Sequence, residues 1–271
     1  MQGKLYICPT PIGNLEDITL RTLNTLREVD LIAAEDTRHS IKLLNYFEIK
    51  KPMISYYEHN KKSKGEILIG KLLSGESIGL ITDAGMPGIS DPGEDIIKSA
   101  IENNIEIIGL PGPTASITAL VVSGLSTDKF VFEGFLPPKN KDRIRELERL
   151  KTEERTIILY EAPHRILSLL ENMEKILGNR QIAIARELTK IHEEVFRGNV
   201  IEAKNKYKVE KPRGEFVIIV EGGIIPKEEI NIREEIIYYM EEGFSKKDAV
   251  KKVVETYDLP RNTVYKESLN L

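Results

Sequence analysis

Short apolar runs alternate along this chain with amphipathic stretches of helical length, and this alternation narrows the fold more than any other feature. The runs fall at 5–8, 31–34, 78–82, 105–110, 130–135, 156–160, 182–185 and 216–220. Most are nearly continuous in Val, Ile, Leu and Ala, as expected for parallel strands covered on both faces. Between them, 20–27, 39–47, 64–73, 92–103, 141–150 and 165–176 carry helical spacing. The reading is an α/β protein.

The 271 residues suffice for two α/β domains and a small extra module. Pro111-Gly112-Pro113 follows a buried run and fixes the chain outside helix and strand, so we place a boundary there. The expected domains are 1–112 and 113–225, with a second break at Gly222-Gly223-Ile224-Ile225-Pro226. Beyond it, 230–271 reads as helical: 236–242, then Ser245 as an N-cap for 246–257, then a turn at Asp258-Leu259-Pro260 and a last helix at 262–268. Three short helices with a tight turn suit a helix-turn-helix. A small docking bundle suits them equally, because the charges of the tail nearly cancel.

Composition removes several classes of function. Hydrophobic residues at 41% and charged residues at 30% are values of a folded chain. The start MQGKLYICPT has no secretory pattern, and no run reaches membrane-spanning length. Cys8 is the single cysteine, and with four scattered histidines it makes no zinc spacing, so neither an internal disulfide nor a metal is expected. The expected compartment is the cytoplasm. A net charge of −4 is not the field of a nonspecific nucleic-acid binder, so any RNA contact must be local. Even the basic-looking stretch 137–155 sets seven Lys and Arg against five Asp and Glu, which suits a solvated helix face.

The loop Asp83-Ala84-Gly85-Met86-Pro87-Gly88-Ile89-Ser90-Asp91-Pro92-Gly93 follows one apolar run and precedes a helix for which Pro92 suits the first position. Its glycines let backbone approach a ligand, and open α/β sheets bind ligands beyond the carboxyl ends of their strands. It is neither a Gly-x-Gly-x-x-Gly fingerprint nor a Gly-Lys-Ser/Thr phosphate cradle, which lowers the dinucleotide and ATP readings. Five further strand ends carry polar clusters, at 9–14, 34–38, 56–60, 160–165 and 186–190. Polar groups gathered at one sheet edge are costly unless they pair or function.

In these loops the strings TPIGNLEDIT, AEDTR, YYEHN, DAGMPGISDPG, LPGPTA, FEGFLP, YEAPHR, ARELTKIHEE and GEFVIIVEG occur in order across 9–222. Together they closely resemble the bacterial small-subunit (16S) ribosomal RNA cytidine 2′-O-methyltransferases, a branch of the tetrapyrrole methylase superfamily. The resemblance implies two α/β domains of the tetrapyrrole methylase type with the cofactor cleft between them, a small C-terminal helical module and a homodimer. It implies S-adenosylmethionine as methyl donor and a cytidine ribose in the decoding region as acceptor, presented by an assembled or assembling small subunit. The backbone of Asp83, Ala84 and Gly85 would hold the cofactor, with Pro87, Ile89 and Ser90 nearby and Thr114 and Ala115 at its amino-acid or sulfonium end. Tyr160, Glu161, Ala185, Leu188 and Glu215 would be adenosine-side neighbours, and Pro9 and Ile12 would close the near wall.

Methyl transfer from a sulfonium is an in-line displacement in which positioning dominates and no metal is needed. Carboxylates beside the sulfur would favour the ground state, so backbone carbonyls and small residues are expected there. Candidates for removing the hydroxyl proton are Asp36, His59 and Glu133, with Arg38, Asn60, Arg186 and Lys190 holding ribose and phosphate. Each has a structural alternative. Asp36 and Arg38 could pair with each other, His59 could be a surface residue, Glu133 could cap the base of the cleft, and Arg186 could pair with Glu187 or Glu193. His164 suits a helix N-terminus, and Lys61, Lys62 and Lys64 could hold phosphates or be solvated. Two rival readings are a tetrapyrrole C-methyltransferase of the same superfamily and a nonenzymatic regulator reading DNA through the tail.

Overall fold

The computed structural model describes residues 2–210, 212–223, 231–257, 259–269 and 271. The chain divides into two compact units, Met1–Gly223 and Ile224–Leu271. Ile224, Ile225 and Pro226 of the expected second break, and Asp258 of the expected turn, lie outside the described residues.

In the larger unit a first sheet contains β1 (Leu5–Ile7), β2 (Leu31–Ala34), β3 (Met53–Ser55), β4 (Ile78–Ile81) and β5 (Ile107–Gly109), in the order β3-β2-β4-β1-β5. Every pairing is parallel, with Leu5 opposite both Ile78 and Ile107. Successive strand side chains face opposite ways. Leu31 and Ala33 therefore join one core, with Leu5 and Leu80, while Ile32 and Ala34 join another, with Leu23 and Leu26. The helices α1 (Leu20–Glu28), α2 (Thr37–Tyr46), α3 (Lys61–Leu73) and α4 (Glu94–Glu102) connect these strands. α4 begins two residues after the proline expected at its first position, because Gly93 occupies the N-cap and Glu94 opens the helix.

After a loop over 110–114, α5 (Ala115–Ser123) leads into the second sheet. Its elements are β6 (Phe130–Phe135), α6 (Asn140–Arg149), β7 (Thr156–Glu161), α7 (Ile166–Ile176), β8 (Gln181–Arg186), β9 (Glu194–Asn199), α8 (Val200–Val209) and β10 (Phe216–Val220). The strand order is β6-β7-β10-β8-β9. Here the expectation of parallel strands fails: β6 and β7 are parallel, but β10 runs antiparallel to β7 and β8, and β9 antiparallel to β8. The loop between β8 and β9 is too short for the crossover that a parallel pair requires. All strands of the first sheet precede residue 112 and all those of the second follow it. Both sheets lie within the one compact unit.

The smaller unit holds α9 (Ile232–Glu241), α10 (Lys246–Tyr257) and α11 (Arg261–Ser268). Ile236, Ala249, Val250, Val253 and Val264 form its core. The Ser245 hydroxyl accepts the Asp248 amide at 3.2 Å, the cap read from the sequence. No helix among the described residues is long and apolar enough to cross a membrane.

Candidate functional site

β1 and β4 are neighbours, so the loops that follow them emerge side by side. They are tied together. The Thr10 amide donates to the Gly85 carbonyl at 2.9 Å, the Gly85 amide donates back to the Thr10 carbonyl at 3.0 Å, and the Thr10 hydroxyl donates to the Thr82 carbonyl at 3.0 Å. Gly85 sits at φ 79°, a conformation that favours glycine. The loop after β5 is pressed against the same assembly, because a Cβ on Gly112 would lie 2.3 Å from Pro9 Cγ.

A cavity of about 270 Å³ opens at these loops. Ile12, Ala84, Gly85, Ile89, Ser90 and Asp91 form one side. Tyr160, Glu161, Phe216 and Val217, from the ends of β7 and β10, form the other, and Thr114 and Ala115 at the start of α5 lie between. The lining is mostly apolar with a few polar groups, the usual character of a small-molecule site. The Tyr160 ring is fixed edge-on by Phe132 and Phe135, with centroids 5.1 and 5.5 Å away.

Several ionisable groups in and beside this cleft are shifted from their ordinary values. Burial, then the charges of Glu35, Asp83 and Glu215, push the Asp91 carboxyl up to about 7, against the opposing Thr82 hydroxyl. Burial also raises Glu35, opposed by the Asp83 amide. Burial raises the Tyr160 phenol and Glu161 as well. Glu161 is buried, and its Oε1 lies 2.9 Å from Arg165 Nε. Glu161 and Glu215, expected on the adenosine side, border the cavity, and Asp91, not singled out from the sequence, borders it with them. A chain reversal at Asp91-Pro92-Gly93 and the ends of two strands bring them there.

A second, more polar cavity of about 480 Å³ shares Ile12, Ala84 and Glu215 with the first. It lies against α2 and is bordered by Asp83 and Lys190.

Most of the expected cofactor residues border the first cavity: Ile12, Ala84, Gly85, Ile89, Ser90, Thr114, Ala115, Tyr160, Glu161 and Glu215. Asp83 borders only the second. Pro9 packs on Gly112, while Ala185 and Leu188 are buried with Ile12 and Val217 behind the cleft wall. Pro87 is buried and borders neither cavity. Sequence reasoning passed over Asp91, Ser116, Phe135, Pro163, Phe216 and Val217.

The candidates for proton removal stand apart from both cavities. Asp36 caps α2, accepting the Arg38 amide at 2.8 Å, and pairs with the Arg38 guanidinium at 2.7 Å. The Arg38 side-chain hydrogen bond, with the backbone one behind it, holds its carboxyl down at about 2. His59 is exposed, its ring edge-on to Tyr57 at 6.2 Å, and Glu133 is exposed on β6. Asn60 is engaged locally, accepting the Tyr57 amide at 2.8 Å and donating to the Ser55 carbonyl at 3.1 Å. Arg186 pairs with Glu194 at 2.8 Å and with neither residue foreseen. Lys190 pairs with Glu187 and Glu215 at 3.0 and 3.2 Å and borders the second cavity.

Comparison with known proteins follows the same lines. Residues 4–204 match the family model of tetrapyrrole (corrin/porphyrin) methylases. A ribosomal RNA small subunit methyltransferase I of Synechocystis is 48% identical, covering 99% of this chain and 98% of that protein. One of Thermotoga maritima is 49% identical over 81% of this chain and 99% of its own length. In fold, the chain resembles the uroporphyrin-III C-methyltransferase of Thermus thermophilus crystallised with S-adenosylhomocysteine, with a TM-score of 0.57 and 15% identity over 80% of this chain and 97% of that one.

Proposed function

The chain belongs to the tetrapyrrole methylase family, and from that membership we propose that it transfers a methyl group from S-adenosylmethionine to small-subunit (16S) ribosomal RNA, at a cytidine 2′-hydroxyl of the decoding region. The observation that carries this reading is the pair of cavities, one apolar and one polar, meeting at Ile12, Ala84 and Glu215. A donor and an acceptor held on either side of such a wall can be brought into line. Near full-length relatives carrying the ribosomal RNA methyltransferase name favour RNA over a tetrapyrrole as acceptor.

The residues of the first cavity suit a nucleoside sulfonium. Ile12, Phe216 and Val217 offer apolar surface to an adenine, and the Thr114 and Ser116 hydroxyls at the start of α5 offer hydrogen bonds. The Gly85 amide and carbonyl are engaged by Thr10, so Gly85 serves by leaving room and not by donating. When bound, the cofactor supplies an electrophilic methyl carbon. The chain aligns the acceptor, excludes water from the apolar wall and takes up the hydroxyl proton. For that last task we propose Asp91 in place of Asp36, His59 and Glu133. Its carboxyl borders the cleft and titrates near neutrality, which suits proton transfer at working pH.

The reading includes a cytoplasmic homodimer that needs no metal and meets its RNA within a small subunit or its precursor. The boundary at 112 then separates a half bearing the loops after β1 and β4 from a half bearing the ends of β7 and β10. The test is calorimetric titration with S-adenosylmethionine in chelator, followed by methyl transfer to small subunits from cells lacking the modification. Binding and transfer support the reading; absence of cofactor binding defeats it. Transfer to a porphyrinogen instead would move the chain to the pigment branch, and a DNA footprint by the tail without transfer would favour the regulator.

A further inference from the structure

The second cavity contains features that cofactor binding does not use. His39, Lys42, Leu43 and Tyr46 on α2 all border it. Their spacing of three, four and seven residues places them along one side of the helix. Leu44, by contrast, is buried in the protein and borders no part of this cavity. Lys42 and Tyr46 are exposed, and Lys42 has no ion-pair partner among the described residues, unlike Lys190 across the cavity. Ser40 also borders the cavity and is 2% exposed, and its hydroxyl, itself shut off from solvent, has no hydrogen-bond partner. A buried hydroxyl without a partner costs free energy that a ligand can recover.

The chemistry of this wall selects its occupant. An unpaired ammonium meets a phosphate, and aromatic or imidazole rings stack on a base. The carboxylates Asp83 and Glu215 accept from sugar hydroxyls and amino groups, and they repel a macrocycle bearing several carboxylates. The shared wall at Ile12 and Ala84 puts such an occupant next to the cleft. Resting on the RNA methyltransferase reading above, we propose that the α2 cavity seats the acceptor nucleotide after it is drawn out of the RNA, with Lys42 on a phosphate, Tyr46 and His39 at the base, and Ser40 as a buried hydrogen-bonding group. Enzymes whose target atom is shielded by stacking reach it by such extrusion, and a walled cavity imposes the same need on a ribose held within structured RNA.

The experiment measures steady-state methyl transfer by the full-length protein to unmodified small-subunit particles, with cofactor affinity by calorimetry and folding by thermal unfolding for each variant. For Tyr46→Ala the KM for particles is expected to rise roughly five- to hundredfold, the range for losing one stacked base. Lys42→Ala is expected to raise KM and to lower the slope of log KM against log salt by about one, whereas Lys42→Arg retains the slope. Ser40→Ala, which removes only a hydroxyl, is expected to raise KM while remaining folded. Cofactor affinity stays at the wild-type value in all four. Unchanged KM and salt slope in both Lys42→Ala and Ser40→Ala, with wild-type protein active on particles, would overturn the inference and leave the RNA reading standing. Wild-type protein that binds cofactor but methylates no particle would defeat the RNA reading itself.

Discussion

Thr10 and Gly85 exchange both backbone hydrogen bonds, at 2.9 and 3.0 Å, and so join the loop after β1 to the loop after β4 at the floor of the cleft. The pairing engages the amide and the carbonyl of Gly85, which sits at φ 79°. A Cβ there would lie 3.5 Å from Ile12 Cγ2 and 3.7 Å from the Pro113 carbonyl, so space permits a small side chain but the backbone does not welcome one.

Gly85→Val is therefore expected to cost about 1–3 kcal/mol of stability in backbone strain. Its larger effect is on cofactor affinity, expected to fall at least about tenfold as branched methyls reach the cleft, which equals about 1.4 kcal/mol. Denaturant unfolding and calorimetry separate the two effects. Wild-type affinity in the variant would place the cofactor elsewhere.

Asp91 yields a prediction with a definite sign. Its folded-state carboxyl titrates at about 7, above its ordinary 3.8, so the folded protein holds this proton more tightly than the unfolded chain. Its contribution to stability is full below about pH 4 and is lost as pH rises toward 7. Asp91→Asn should thus gain melting temperature over wild type, by a margin that widens from pH 4 to pH 8. A margin that does not change with pH would refute the burial account of this carboxyl. If Asp91 also takes the hydroxyl proton, the rise of wild-type kcat/KM through about pH 7 disappears in the variant.

Beneath the cleft, Glu161 is paired with Arg165, whose guanidinium also donates to the Leu136 carbonyl at 2.6 Å. Arg165→Met removes the partner of a buried carboxylate. The expected loss is about 3–5 kcal/mol, because the remaining charge is left without its counter-ion. Adding Glu161→Gln should recover part of it, as read from urea midpoints of the two single variants and the double variant. Additive losses would contradict the pairing.

Truncation after Gly223 removes a unit with a hydrophobic core of its own. The Thermotoga relative matches this chain over 81% of its residues and 99% of its own length. The truncated protein is expected to fold cooperatively and to bind S-adenosylmethionine with unchanged affinity. Loss of cofactor binding in a folded truncation would make the tail part of the site.

Much of this architecture was legible because buried strands announce themselves as apolar runs. β2, β6 and β10 match those runs at both ends. β9 escaped because Glu-Val-Phe-Arg-Gly-Asn is a polar edge strand, and with it went the short β8–β9 connection that marks an antiparallel pair. α5 escaped for the opposite reason: Ala-Ser-Ile-Thr-Ala-Leu-Val-Val-Ser lacks a charged face. In the site, Gly85 and Thr114 stood out as loop residues, whereas Phe216 and Val217 read as core because they belong to a strand. Asp91 was hidden in turn chemistry, since an Asp before Pro-Gly signals a bend whether or not it borders a cleft. Asp36 shows the converse. A carboxylate just before a helix is most simply a cap, and here it is one.

The central claim is that this cleft delivers a methyl group to a ribose oxygen of small-subunit RNA. Its most direct test is transfer of labelled methyl from S-adenosylmethionine to small subunits isolated from cells lacking this protein, followed by digestion and mass spectrometry of the nucleosides. The account predicts label in 2′-O-methylcytidine from one site in the decoding region. Label on a base carbon or nitrogen, or none on RNA from a preparation that binds the cofactor, would contradict it.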